Sequence, residues 1–269
     1  LFAFSGTVNV GPGETYTSFT AANGLFSRLN AGALTGNLTV LVTGDISIED
    51  GANRLNALTE EPTGSNFIIR VQPSAAATRT ITGASNTIAT NGFVLNGADR
   101  VVFDGRFNQT GTDRFLTFRN ASTSVPVFTL IQDATNNTIR NCVIEGASTS
   151  ASNGVVFLGT STTSPVGGVV GGVTGNDNFQ LLNNQIRDIT TGTGLPFQAF
   201  YSSGSLSAAN SDVTIQGNEI FNWTGFGVLL SSSTGSNWLI DDNDFFYNAA
   251  VVHSAGTPRA IEVGGLSSS

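Results

Sequence analysis

The stretch NWLIDDNDFFYN, residues 237–248, is the most acidic short run in the chain, with Asp241, Asp242 and Asp244 beside Phe245, Phe246 and Tyr247. Read alone, it suggests a catalytic or metal-binding cluster. Aligned with three other windows, it becomes one rung of a repeat. IRNCVI (139–144), LLNNQI (181–186), IQGNEI (215–220) and IDDNDF (240–245) superpose without gaps. Each starts on an aliphatic residue and has an apolar residue sixth. The third position reads Asn141, Asn183, Gly217, Asp242, and the fourth reads Cys142, Asn184, Asn218, Asn243. A weaker copy, VFDGRF, covers 102–107. Successive windows start 37, 42, 34 and 25 residues apart, from 102 to 139, 181, 215 and 240.

A constant rung with an irregular period is the signature of a solenoid with loops of variable length. No single repeat can bury its own apolar face, so stacking does it. The rung is too short and too rich in β-branched residues for a helix. Asn, Gly and Asp at its centre tolerate left-handed backbone, so each window reads as two short strands meeting at a corner. Further strands are expected in FLTFRNA (115–121), PVFTLIQD (126–133), NGVVFLGT (153–160), FQAFYSS (197–203) and GFGVLLSS (225–232), each bounded by turn formers. Several strands per repeat, stacked one way, make an all-β fold: a parallel β-helix. Coils in such a fold lie about 4.8 Å apart, so like residues sit over like. Asn184, Asn218 and Asn243 are then expected to form a buried amide ladder, with Cys142 as a small apolar residue ending it.

The N-terminal part has no rung. Phe19, Leu25, Phe26 and Leu29 fall at helical spacing, and Gly32 can stop a helix, so 18–31 is expected to be a short amphipathic helix plugging the first coil. Strands LTVLVTGDISI (38–48) and NFIIRVQPS (66–74) follow. The whole chain reads as one domain: an N-terminal strand segment (1–14), a capping region (15–37), coils (38–265) and a tail (266–269). LFAFSGTVNV (1–10) is apolar and strand-forming, with no partner evident in its own repeat. Leu1, Phe2, Phe4, Val8 and Val10 are therefore candidate assembly residues, adding to the last coil of another copy.

Composition narrows the function. Charged residues are 11%, against about 25% in typical soluble proteins. The net charge of −8, with eleven basic residues that are all Arg, argues against a nucleic-acid partner. No apolar run reaches the roughly 20 residues of a membrane helix, so no membrane insertion is expected. Met is absent, so Leu1 is read as the start of a processed product or a fragment; the single Cys142 excludes an intrachain disulfide.

The phrases TVNVGPGETYTSF, NGLFSRLNAG, FVLNGADRVVFDG, DATNNTIRNCVIEGAS and SNWLIDDNDFFYN closely resemble the right-handed parallel β-helix regions of very large surface and secreted proteins of the Bacteroidota. Many of those are similar to proteins exported by the type IX route, and the architecture is that of the pectin-lyase-like superfamily. The resemblance implies fold and an extracellular or cell-surface location, and carries no activity with it.

In register, Asp241 and Asp244 point outward and Asp242 sits at the bend. Glu219 occupies the column of Asp244 one coil earlier. The bland reading is a solvated acidic face; a weak Ca²⁺ site at Glu219, Asp241 and Asp244 is the metal candidate, with no other cofactor expected. A catalytic carboxylate pair is the third reading. Glycan-cleaving sites of this architecture also use His and basic residues, whereas this chain has no Lys and one histidine, His253. The glycine-rich PVGGVVGGVTGNDN (165–178) follows no strand-to-helix step and reads as a loop. Trp223 and Trp238 are expected to pack in the core or a loop, with sugar stacking as the alternative. The expected function is a non-enzymatic extracellular structural protein. Its expected partners are copies of itself joined head to tail. A carbohydrate-binding or polysaccharide-degrading protein, or a spacer of a giant adhesin, is the alternative.

Overall fold

The computed structural model describes residues 2–159, 173–189, 194–205, 207–231, 235–248 and 257–264. Leu1, His253 and most of the glycine-rich loop lie outside these. Its strands form three sheets, A, B and C, in which every neighbouring pair runs parallel. The chain opens with β1 (Phe2–Val10), α1 (Leu25–Asn30), β2 (Gly32–Val42) and β3 (Leu55–Asn56). From there it visits A, B and C strictly in turn. One circuit is β4 (Ile69–Pro73), β5 (Arg79–Ile81), β6 (Phe93–Asn96); the next is β7 (Val101–Asp104), β8 (Leu116–Asn120), β9 (Phe128–Ile131). Then come β10 (Thr138–Arg140), β11 (Cys142–Gly146), β12 (Val156–Gly159), and β13 (Gln180–Leu182), β14 (Gln185–Arg187), β15 (Gln198–Ser203). The last two circuits are β16 (Thr214–Gln216), β17 (Glu219–Phe221), β18 (Phe226–Leu230), and β19 (Leu239–Asp241), β20 (Asp244–Phe246), β21 (Arg259–Val263). Sheet A is eight-stranded and runs from β1 to β19, sheet B six-stranded from β5 to β20, and sheet C seven-stranded from β3 to β21. This is a parallel β-helix.

Alternation along each strand sends every second side chain inward, and the parallel register turns those positions into columns. In sheet A the inner column is Val40, Val71, Phe103, Ile139, Leu181, Ile215, Ile240. In sheet B it is Ile81, Phe118, Ile144, Ile186, Ile220, Phe245. Phe93, Phe103, Phe118 and Phe128 come from all three sheets and meet on the axis, with ring centroids 4.8–5.6 Å apart. At roughly 25 cal/mol per Å² of apolar surface, this continuous column is the main stabilising term.

Three expectations need correcting. The weak window at 102–107 is out of register by one: Phe103, not Val102, pairs with Ile139. Val102 is on the outer face and half-buried, whereas Phe103 is fully buried. Its sixth residue is no rung position either, because residues 105–115 form an inserted loop before β8.

The capping helix is shorter than 18–31. Phe19 and Thr20 are held in a loop by the Glu49 carboxylate, which accepts from both backbone N–H groups at 2.7 Å. Gly24 is extended at the N-cap, where a Cβ would come 2.6 Å from the Phe19 carbonyl oxygen. The helix that remains buries Leu25, Phe26 and Leu29 over the first coil.

Residues 2–10 do have a partner in their own repeat. β1 pairs in parallel with β2, from Phe2↔Gly32 to Val10↔Val42, with α1 as the crossover between them. Gly32 fits because a Cβ there would meet the Phe4 ring at 2.6 Å. Donation of this segment to another copy would have to break that pairing.

Candidate functional site

The corner between sheets A and B carries the repeat. Asn141, Asn183, Gly217 and Asp242 turn it with φ of +50°, +55°, +67° and +52°. That is left-handed backbone, which Asn, Gly and Asp adopt most readily. The next residue in each coil points inward. Asn184 Oδ1 accepts from the Cys142 N–H at 2.9 Å, and Asn218 Oδ1 accepts from the Asn184 N–H at 2.8 Å. Asn243 Oδ1 accepts from the Asn218 N–H at 2.9 Å. Each Nδ2 donates back to the preceding coil: Asn184 to the Ile139 carbonyl, Asn218 to Leu181 and Asn243 to Ile215, at 2.7–2.8 Å. At the end of the column the Cys142 thiol donates to the Arg140 carbonyl at 3.2 Å. Full burial pushes its pKa well up, so the thiol is a structural end-piece and not a nucleophile.

The acidic rung does not assemble a site. Glu219 and Asp244 are register partners on β17 and β20, as their column requires. Yet Glu219 already has its counter-ion. Arg114 reaches over from the inserted loop and donates to Glu219 Oε1 at 2.7 Å and to the Asn183 carbonyl at 2.8 Å. Gln185 donates to Oε2 at 2.9 Å. Partial burial pushes the Glu219 carboxyl up, but the bonds from Gln185 and Arg114 outweigh it and hold the carboxyl below its ordinary value. Asp241 lies on sheet A, across the bend from Asp244, and accepts from Gln216 at 3.0 Å. Among the described residues no three His, Cys, Asp or Glu side chains converge, so the Glu219, Asp241, Asp244 metal candidate is not brought together. Trp223 is buried against Phe245 and Tyr247; Trp238 is half-buried, edge-on to Phe200, and donates to the Asn210 carbonyl at 2.9 Å. Of the assembly candidates, Phe4 and Val10 are buried against the core, Val8 is half-buried and Phe2 is exposed.

The rung windows missed three features. A second amide ladder runs along the corner entering sheet A: Asn176 Oδ1 accepts from the Ala134 N–H at 3.0 Å, and Asn210 Oδ1 from the Asn176 N–H at 2.9 Å. Along the same corner Arg100, Asn136, Asn178, Asp212 and Asn237 all have φ between +55° and +60°. The third feature is a set of carboxylates that tie coils together. Glu145, 1% exposed, is bound by Arg119 from the coil before and by Arg187 from the coil after. Arg187 lies over Phe221, which stacks on Phe246 at 4.6 Å, so one outer column is linked over five coils. Glu60 likewise accepts from the Asn66 and Phe67 N–H groups and from Arg100.

The polar groups of this parallel β-helix thus act between coils. A scan against protein-family models and a search of curated proteins both find no match. Among solved structures the chain is similar to the crystal structure of PfbA, a surface adhesin of Streptococcus pneumoniae. The TM-score is 0.55 at 14% identity, over 86% of this chain and 55% of that one. At that identity the likeness is one of fold, and this chain spans little more than half of the adhesin's length.

Proposed function

We propose that this protein is a non-enzymatic structural module of the extracellular cell surface, a rigid β-helix with an adhesin-like role. The observation that carries the reading is the use of its charged side chains. Glu145, Glu219 and Glu60 each take an arginine from another coil, so side chains of the kind that do chemistry are engaged in stacking. Charge-assisted bonds of this kind are among the stronger polar links available to a fold. The fold likeness to a surface adhesin supports placement at the surface.

Head-to-tail stacking is part of the proposal. All strands run one way, and β1 and β19 are the outermost described strands of the same sheet. The outer edge of β19 in one copy therefore has the right direction to pair with the outer edge of β1 in the next, with β1 staying in its own sheet. Leu239, Phe246, Ile261 and Val263 are exposed on the last described coil and would be covered. Negative-stain microscopy and sedimentation of the purified chain test this. Rods lengthening in whole-molecule steps are expected, and Val263→Lys should abolish them while leaving the melting temperature unchanged. Release of reducing ends or unsaturated sugars from acidic polysaccharides would overturn the non-enzymatic reading.

A further inference from the structure

The outer face of sheet A holds an unbalanced positive cluster in a chain of net charge −8. Asp104, its side chain 0% exposed, accepts from Arg106 through Nε at 2.8 Å and Nη2 at 2.7 Å, and from Arg70 Nη1 at 3.4 Å. Arg140 stands next to Asp104 in the same column, one coil on. Its guanidinium has no salt bridge or hydrogen bond to any described residue, and its Nε is buried without a partner. Burial and the charge of Arg106, against the pull of Asp104 and with Arg70 adding to the repulsion, lower its pKa. On the other side of Asp104, one residue beyond the Val71↔Phe103 pair, Gln72 is 7% exposed and its Oε1 is also buried without a partner. Three guanidiniums around one carboxylate leave two positive charges uncompensated. Arg140 is half-buried and only its Nε is enclosed, so a guanidinium without a counter-ion can still meet an oxyanion through its outer nitrogens.

The acidic rung lies in the same column. From Arg140 the register runs through Leu182 and Gln216 to Asp241, three coils on, and the exposed Asp242 turns the corner beside it. The spacing is about 14 Å at roughly 4.8 Å per coil. One face therefore presents a positive and a negative spot at a fixed separation along one line. Turned end for end, the same face presents them in reverse order. A two-fold axis through the middle of the line sets each positive spot against the other copy's negative spot, which is an isologous, self-complementary contact.

We propose that two copies associate side by side through the outer face of sheet A, with Arg140 of each receiving the Asp241 carboxylate of the other. This contact closes at two molecules and is separate from end-to-end stacking, which does not close. It assigns the acidic run a partner and gives the unpaired Arg140 its anion.

Sedimentation equilibrium of Val263→Lys, which lies on sheet C at the last described coil and removes end-to-end growth, tests it at about 20 mM and about 500 mM salt. A dimer is expected at low salt, weakened at least tenfold at high salt. Arg140→Glu and Asp241→Arg should each weaken it at least tenfold, and an equal mixture of the two should restore a dimer, because each then meets its complement. If Arg140→Glu does not fold by circular dichroism, Arg140→Gln takes its place and is mixed with chain carrying Val263→Lys alone, where binding should be intermediate. A monomer at low salt, a salt-insensitive dimer, or a mixture no tighter than either variant alone overturns the proposal.

Discussion

Asn218 Oδ1 accepts both the backbone N–H of Asn184, at 2.8 Å, and its side-chain Nδ2, at 3.1 Å. One oxygen of one coil thus satisfies two buried donors of the coil before it. Its own Nδ2 donates to the Leu181 carbonyl, so this amide closes the corner in both directions. Asn218→Leu strands the Asn184 N–H and the Leu181 carbonyl and takes one of the two bonds of the Asn184 Nδ2, and a cost of about 3 kcal/mol or more is expected in a thermal melt. Asp241→Asn keeps the Gln216 contact on an exposed face and should change stability by less than about 0.5 kcal/mol. Equal effects would remove the ladder from the account.

Cys142 should be silent to thiol reagents in the folded protein and react only as the chain unfolds, since it is fully buried with a raised pKa. Cys142→Asn extends the ladder by one rung. Its amide would reach the Phe103 carbonyl, now 3.9 Å from the sulfur and equivalent to Ile139 for Asn184. A melting temperature equal to or above the parent is expected; a fall of several degrees would show that the column cannot take another amide.

Glu49, which holds the loop before the capping helix, and Glu60, which ties Asn66 and Phe67 to Arg100, should respond to pH with opposite sign. Burial raises the pKa of Glu49 above the ordinary 4.5, although the Phe19 N–H and the Thr20 hydroxyl and N–H pull it down. Its proton is held more tightly folded than unfolded. Its contribution is therefore full below about 4.5 and is lost as pH rises through the raised value. For Glu60, burial pushes up but the Asn66 and Phe67 N–H groups and Arg100 outweigh it, so its pKa is lowered and its contribution is lost as pH falls below 4.5. Urea midpoints between pH 4 and 8 should show Glu49→Gln gaining on the parent as pH rises, and Glu60→Gln losing. Parallel curves for the two variants would contradict the assignments.

Much of the fold is legible in the rungs, because a parallel stack repeats the same corner chemistry in every coil. Asn184, Asn218 and Asn243 sit where the windows place them, and Asp242 takes the bend of Asn141 and Asn183. The second ladder stayed hidden although Asn176 and Asn210 both lie five residues before the first rung position. Its neighbouring places are filled by Ala98, Ala134 and Gly235, which carry no amide to reveal the pattern. β1 was unreadable as part of sheet A because its pairing with β2 is made through a helix and carries no corner residue. The links between coils were beyond reach for another reason. Arg114 and Glu219 are 105 residues apart, and loops of unequal length erase any regular spacing between Arg119, Glu145 and Arg187.

The claim that charged groups here serve stacking is tested most directly at Glu145. The comparison is the melting temperature at pH 7 of Glu145→Gln against Asp244→Asn. The first removes a buried carboxylate from between Arg119 and Arg187; the second changes an exposed one in the adjoining column. Breaking a buried pair costs roughly 3 kcal/mol, which for a chain of this size is about 6 °C. A fall of that order for Glu145→Gln, with Asp244→Asn within about 1 °C of the parent, is the predicted result. Equal shifts for the two would contradict it.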